Sequence, residues 1–224
     1  MKYTAQNAAL DLPTRSRADN KTKGGKVLVI AGSRGLFGSA ILCGSAAARC
    51  GAGYTYLSSS GKFPVAKHPD FLILQSHIKF AEYNAVAIGL GFRNPKKIRA
   101  YLQRMIKLNI DNVVLDAEAL NVVAHATIRL PKSWIVTPHE GELSRILKIP
   151  SQKIRENRRK YILLAQKKLG CVVRHRRNVA GHFAKNSSGK KSVKIRTFQL
   201  LHQTLKVYRL QLQTGQALKS TDSS

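Results

Sequence analysis

Short apolar runs alternate along this chain with longer segments of helical spacing. Val27-Leu28-Val29-Ile30-Ala31 is β-branched and carries no polar position, which predicts a strand covered by helices on both faces. Ser39 to Arg49 is small and apolar, a closely packed helix stopped by Gly51. Tyr54 to Leu57 reads as a strand, and Phe71 to Leu74 and Ala85 to Ile88 as further buried strands. Asn94 to Leu108 places Ile98, Leu102, Met105 and Ile106 at helical spacing, and Pro95 suits the first turn. Asn112 to Leu115 predicts a strand, Ala117 to Ala124 a helix, and Trp134 to Val136 a strand that leads into the polar segment Thr137 to Glu142. Ser151 to Leu169 reads as one long basic helix, with Ile154, Tyr161, Ala165 and Leu169 on one side and Gly170 as its stop. Cys171 to Val173 begins another strand. This alternation implies an α/β fold with a mostly parallel sheet between helices.

The alternation sets the boundaries. Residues 1–24 read as a leader segment, 25–173 as the α/β domain and 174–224 as a basic tail. The tail holds 11 Lys+Arg and one acid, Asp222; Leu200, Leu201, Leu205, Tyr208 and Leu212 suit one amphipathic helix, and the remainder reads as weakly folded or disordered. An apolar fraction of 43% supplies a core and excludes disorder throughout. No apolar run approaches the roughly 20 residues of a membrane span, and MKYTAQNAALDLPTR lacks the apolar centre of a secretory signal, so a cytoplasmic location with no membrane partner is expected. The net charge of +28 favours anionic partners without choosing among nucleic acid, nucleotides and lipid. Cys43, Cys50 and Cys171 form no ligand cluster and read as reduced, buried thiols.

Four loops, each directly after a predicted parallel strand, collect the candidate chemistry, because ligands of open α/β sheets bind at the carboxyl edge. The first carries Gly32, Gly35 and Gly38, and is as compatible with a tight turn as with a phosphate cradle. The second is Gly89-Leu90-Gly91. The third runs from Asp116 to Asn121, where Asp116 alone suits a helix N-cap. The fourth, Thr137 to Glu142, holds His139 in a polar setting that favours binding, and Glu142, which also suits a helix N-terminus.

The strings NKTKGGKVLVIAGSRGLFGSAILCGSAAARCGAGY, AVAIGLGF, VVLDAEALN and IVTPHEGELSRIL, in this order, closely resemble the bacterial NAD(P)H-hydrate dehydratases of the ribokinase-like superfamily. The likeness runs from about Leu12 to Val173. It implies a ribokinase-like three-layer sandwich and repair of hydrated nicotinamide cofactor. ADP or ATP, with Mg²⁺, would phosphorylate the hydroxyl of the hydrate, and elimination of phosphate would restore NADH or NADPH. By the same likeness Ala40, Gly91 and His139 would contact the NAD(P)H hydrate. Asp116 and Asn121 would shape the nucleotide and metal region, Glu142 would order metal-bound water, and the protein would form a homo-oligomer.

The chain departs from that pattern after Val173. The family continues into a Lys-Gly segment and then a GxGD motif, whose turn holds the transferred phosphate and whose Asp is the base. Neither is present from Arg174 on, so the catalytic residue is unassigned, and a domain truncated at its C-terminal end with impaired activity is expected. A shifted reading frame near Val173 would produce such a tail. The alternative is a non-catalytic remnant, or a basic nucleic-acid-binding protein on the same scaffold, motivated by the charge and by the Arg174 to Arg177 and Lys190-Lys191 clusters.

Overall fold

A strand with no polar position can sit only inside a sheet, and the computed structural model places Val27 to Ile30 there. It describes residues 20–64, 69–126 and 128–175. β1 (Lys26–Ile30) pairs in parallel with β2 (Tyr54–Ser58) on one side and β4 (Ala85–Ile88) on the other. β3 (Leu72–Leu74) extends the sheet beyond β2, and β5 (Val113–Leu115), β6 (Ile135–Val136) and β7 (Val172–Val173) extend it beyond β4. All seven strands are parallel, in the order β3-β2-β1-β4-β5-β6-β7.

Successive side chains of a strand point to opposite faces, so the sheet divides the core in two. Val27 and Val29 meet α1 (Phe37–Arg49) through Ala40, Cys43, Ala46 and Ala47, and small residues let this helix lie close. Leu28 and Ile30 face the larger core under α2 (Pro95–Lys107), α3 (Glu118–His125), α4 (Glu140–Leu147), α5 (Ser151–Glu156) and α6 (Arg158–Leu169). The three-layer α/β architecture expected from the sequence is therefore present.

Three local expectations are corrected. Phe71 to Leu74 is not a buried strand: β3 starts at Leu72 and lies at the sheet edge, so only Leu72 is buried while Phe71, Ile73 and Leu74 are exposed. The polar segment read through Glu142 turns helical at Glu140, and Leu143, Ile146 and Leu147 fix α4 to the core. The long helix from Ser151 is two helices. Asn157 leaves helical geometry (φ −141°, ψ 68°) and its side chain accepts from the Lys160 N–H, which caps α6.

Part of the expected leader is ordered, since Asn20 caps a 3₁₀ turn at Lys21–Gly24 that packs against β2. The rest of the leader, residues 1–19, and the tail from residue 176, with the amphipathic stretch around Leu205, lie outside the described residues. Among the described residues no helix is long and apolar enough to cross a membrane.

Candidate functional site at the sheet switch point

From β1 the chain moves one way to β2 and β3, and then returns to the other side of β1 to build β4 through β7. Adjacent parallel strands whose connections leave in opposite directions open a crevice at their carboxyl ends. Here that switch point lies between β1 and β4, between the loops that carry Gly32 and Gly89. The four candidate loops follow β1, β4, β5 and β6, which are consecutive in the sheet, so all four stand at one edge.

The first two loops are bonded together. The Gly32 N–H donates to the Leu90 carbonyl (2.9 Å), and the Ser39 hydroxyl lies 3.1 Å from the same oxygen. Ser33 donates to the Gly91 carbonyl and accepts from the Arg93 N–H (3.0 Å). Gly91 (φ 64°) leaves no room for a side chain, because a Cβ there would run into the Ser39 hydroxyl and the Leu36 carbonyl. Ala40 is fully buried and its methyl backs Gly32. Gly35 and Gly38 are exposed, and a Cβ at either would meet nothing within 4 Å. No side chain caps the N-terminus of α1 beside Gly38.

The third loop is backed by the second: the Glu118 N–H donates to the Gly89 carbonyl (3.3 Å). Asp116 is buried, but it is not the N-cap of α3. Its Oδ1 accepts from the Ala117 N–H (2.9 Å), and Ala117 occupies the cap position with φ 49° and ψ −116°. A non-glycine residue in that region stores roughly 1–3 kcal/mol of strain, of the kind that collects at functional sites. Asn121 donates to Glu118 Oε2 and accepts from Arg145 Nε, each at 3.0 Å, which ties α3 to α4.

In the fourth loop His139 caps α4. Its Nδ1 accepts from the Gly141 N–H (3.0 Å), so the proton sits on Nε2, 3.3 Å from Glu142 Oε1. Glu142 Oε2 in turn accepts from the His139 N–H (2.9 Å), completing a capping box. The Glu142 side chain is 5% exposed and that of His139 29%, so the carboxylate is turned into the helix end and the ring keeps an open edge.

Ser33, Ser39 and Arg145, which bond to the candidate loops, and Ala117, with its strained backbone, are residues that sequence reasoning did not single out. The two serines stand inside or beside a glycine loop, which is a usable signal. Nothing local marks Ala117 or Arg145.

Burial, with a smaller contribution from the Asp116 charge, pushes the Cys43 thiol up to about 12, and burial does the same for Cys171. At mild alkaline pH a thiol reagent is expected to modify half-buried Cys50 first, and Cys43 and Cys171 only as the protein unfolds, read by peptide mass spectrometry. Equal rates at all three would contradict the burial. Between about 9 and about 12 the folded chain holds thiol protons that the unfolded chain has lost, so stability falls as pH rises through that window. The urea midpoint should be flat below it from these groups and fall inside it.

Comparison with known proteins places these features in context. The family described as NAD(P)H-hydrate dehydratase matches residues 27–190. The bifunctional NAD(P)H-hydrate repair enzyme of Coxiella burnetii is 30% identical over 156 residues, covering 66% of this chain and 32% of that protein. The ADP-dependent (S)-NAD(P)H-hydrate dehydratase of Xanthomonas campestris is 27% identical, covering 72% of this chain and 61% of its own length. The crystal structure of the ADP/ATP-dependent NAD(P)H-hydrate dehydratase of Bacillus subtilis, co-crystallised with ATP and Mg²⁺, superposes with a TM-score of 0.60 at 26% identity, over 76% of this chain and 64% of that one. The chain thus spans about a third of the bifunctional relative, and 61% and 64% of the two shorter ones.

Proposed function

Because this chain belongs to the NAD(P)H-hydrate dehydratase family, we propose that the crevice at its switch point receives hydrated NAD(P)H, and that its reaction is phosphorylation of the hydrate hydroxyl by ADP or ATP followed by loss of phosphate. One observation carries the reading: the motif-bearing loops follow four neighbouring parallel strands, and the first two meet where the strand order reverses. Gly91 lets the second loop close against Ser39 and Leu36 of the first, which sets the wall of the crevice, and Ala40 shapes the floor under Gly32. His139 offers its open ring edge. Asp116 and Asn121 line the neighbouring nucleotide region, and Glu142 holds His139 in place.

Among the described residues no group of three or more His, Cys, Asp or Glu could hold a metal. That suits Mg²⁺ carried largely by nucleotide phosphates, with Asp116 as the nearby carboxylate, rather than a protein cage. When bound, the ion would neutralise phosphate charge during transfer.

The rate is proposed to be low, since residues 174–224 contain neither the Lys-Gly nor the GxGD segment of the family. Loss of a general base and of an anion hole each removes about 10²–10³-fold or more, so turnover roughly 10⁴-fold below a complete relative is expected. The full chain with hydrated NADPH, ADP and Mg²⁺ should bind the hydrate in calorimetry yet return dihydronicotinamide absorbance at that reduced rate. Turnover equal to the Bacillus subtilis enzyme would refute the impairment, and no hydrate binding would refute the functional reading. A shifted reading frame is checked in the gene: it fails if no alternate frame after Val173 encodes Lys-Gly and GxGD.

A further inference from the structure

We propose that the open cleft of about 670 Å³ over the outer face of α3 is a binding site for a phosphate-bearing polyanion, beside the switch-point crevice and adjoining it at Asn121. Lys96 and Arg99 of α2, His125 of α3 and Arg145 of α4 line it, against one carboxylate, Glu118. That carboxylate does not neutralise them: among the described residues Lys96, Arg99 and Arg145 have no salt-bridge partner. Glu118 instead accepts from Asn121, and Asn121 accepts from Arg145 Nε, each at 3.0 Å. This two-bond relay holds the Arg145 guanidinium by one edge and leaves its terminal amino groups as a preset fork for an oxyanion.

Exposed cations ordinarily spread apart in solvent, and in a chain of net charge +28 their gathering in one concave place costs repulsion that a bound anion relieves. Glu118 and His125 stand at opposite ends of α3, about 10 Å apart along the axis, so the site matches several linked phosphates better than a single one. Ala40, Gly91 and His139 do not line it, whereas Asn121 is shared with the proposed nucleotide region, so Arg99, which has no described bond to Asn121, is the position whose variant separates the cleft from that region.

Inorganic triphosphate is the probe, titrated calorimetrically into the full chain at physiological ionic strength. Saturable binding is expected, weakened at least about tenfold in Arg99→Gln and in Arg145→Gln. Lys107→Gln, which removes the same charge from the far end of α2, should leave it within about twofold. Arg99 makes no described hydrogen bond, so its variant keeps the fold even where the loss of the Asn121 contact disturbs the other. Unchanged affinity in Arg99→Gln, or equal weakening in Lys107→Gln, would overturn the site in favour of diffuse charge. Sedimentation with phosphatidic acid vesicles separates the sources: capture lost in Arg99→Gln, without binding of free triphosphate, assigns the phosphate to a lipid headgroup. Binding of a polyaspartate peptide but of neither phosphate probe would refute phosphate recognition.

Discussion

Gly89→Ala is expected to lower stability by about 3–5 kcal/mol, while Gly38→Ala raises it slightly. Gly89 follows β4 with φ 116°, a conformation that residues with a side chain rarely adopt. An added Cβ would also stand 2.7 Å from both the Cβ and the backbone nitrogen of Ala119, and closer still to the Asp116 carbonyl oxygen. These are backbone neighbours at the start of α3, not flexible side-chain ends. The methyl fits only if the turn that holds Asp116 moves away from β4, which breaks the 3.3 Å bond from the Glu118 N–H to the Gly89 carbonyl. Strain and overpacking contribute about 1–3 kcal/mol each. For a chain of this length the melting midpoint should drop by roughly 10 °C. Gly38, in the first turn of α1, has open space around its added Cβ, so alanine there gains helix propensity alone. Urea melts of the two variants decide the matter, and a Gly89→Ala protein as stable as its parent would show that the second and third loops are not packed as described.

Replacing Trp134 should have a comparable effect by a different mechanism. The indole is fully buried just before β6, and its Nε1–H donates to the Ile110 carbonyl at 2.7 Å. Trp134→Ala leaves a cavity worth about 3–5 kcal/mol and an unpaired buried carbonyl worth about 1–3 more. Trp134→Phe keeps most of the volume and loses the donor, so about 1–3 kcal/mol is expected from it alone. The two losses are not fully additive, since a collapsing cavity can admit a new partner for the carbonyl. Circular dichroism melts of both variants test this, because the chain has a single tryptophan and its fluorescence vanishes with it. Equal midpoints for the two variants would mean that the hydrogen bond, and not packing, fixes β6.

Strand type was legible where burial from both faces removes the alternation of polar and apolar residues, as in Val27 to Ile30 and Ala85 to Ile88. α4 was not, because its first turn is Glu-Gly-Glu and its cap is a histidine, a residue rarely used for that purpose. β3 misled for a related reason: an apolar run looks the same in the middle of a sheet and at its margin. The break at Asn157 was hidden in a stretch polar on every side, where period carries no information. In the site, the glycine loops and Asp116 could be read from their position after strands. The strained backbone of Ala117 could not, since no local residue type marks it, nor could the tie from Asn121 to Arg145, which depends on a neighbour distant in the chain.

The residues alone determined most of the strands and helices, that the sheet is parallel, and the motifs of the family. Those properties are local, set by side-chain pattern over a few turns or by short strings of fixed type. Tertiary structure decided that β1 and β4 are neighbours with connections departing in opposite directions, and so where the crevice opens. A strand buried on both faces pairs equally well with many partners, and only the packing of the crossover helices selects among them.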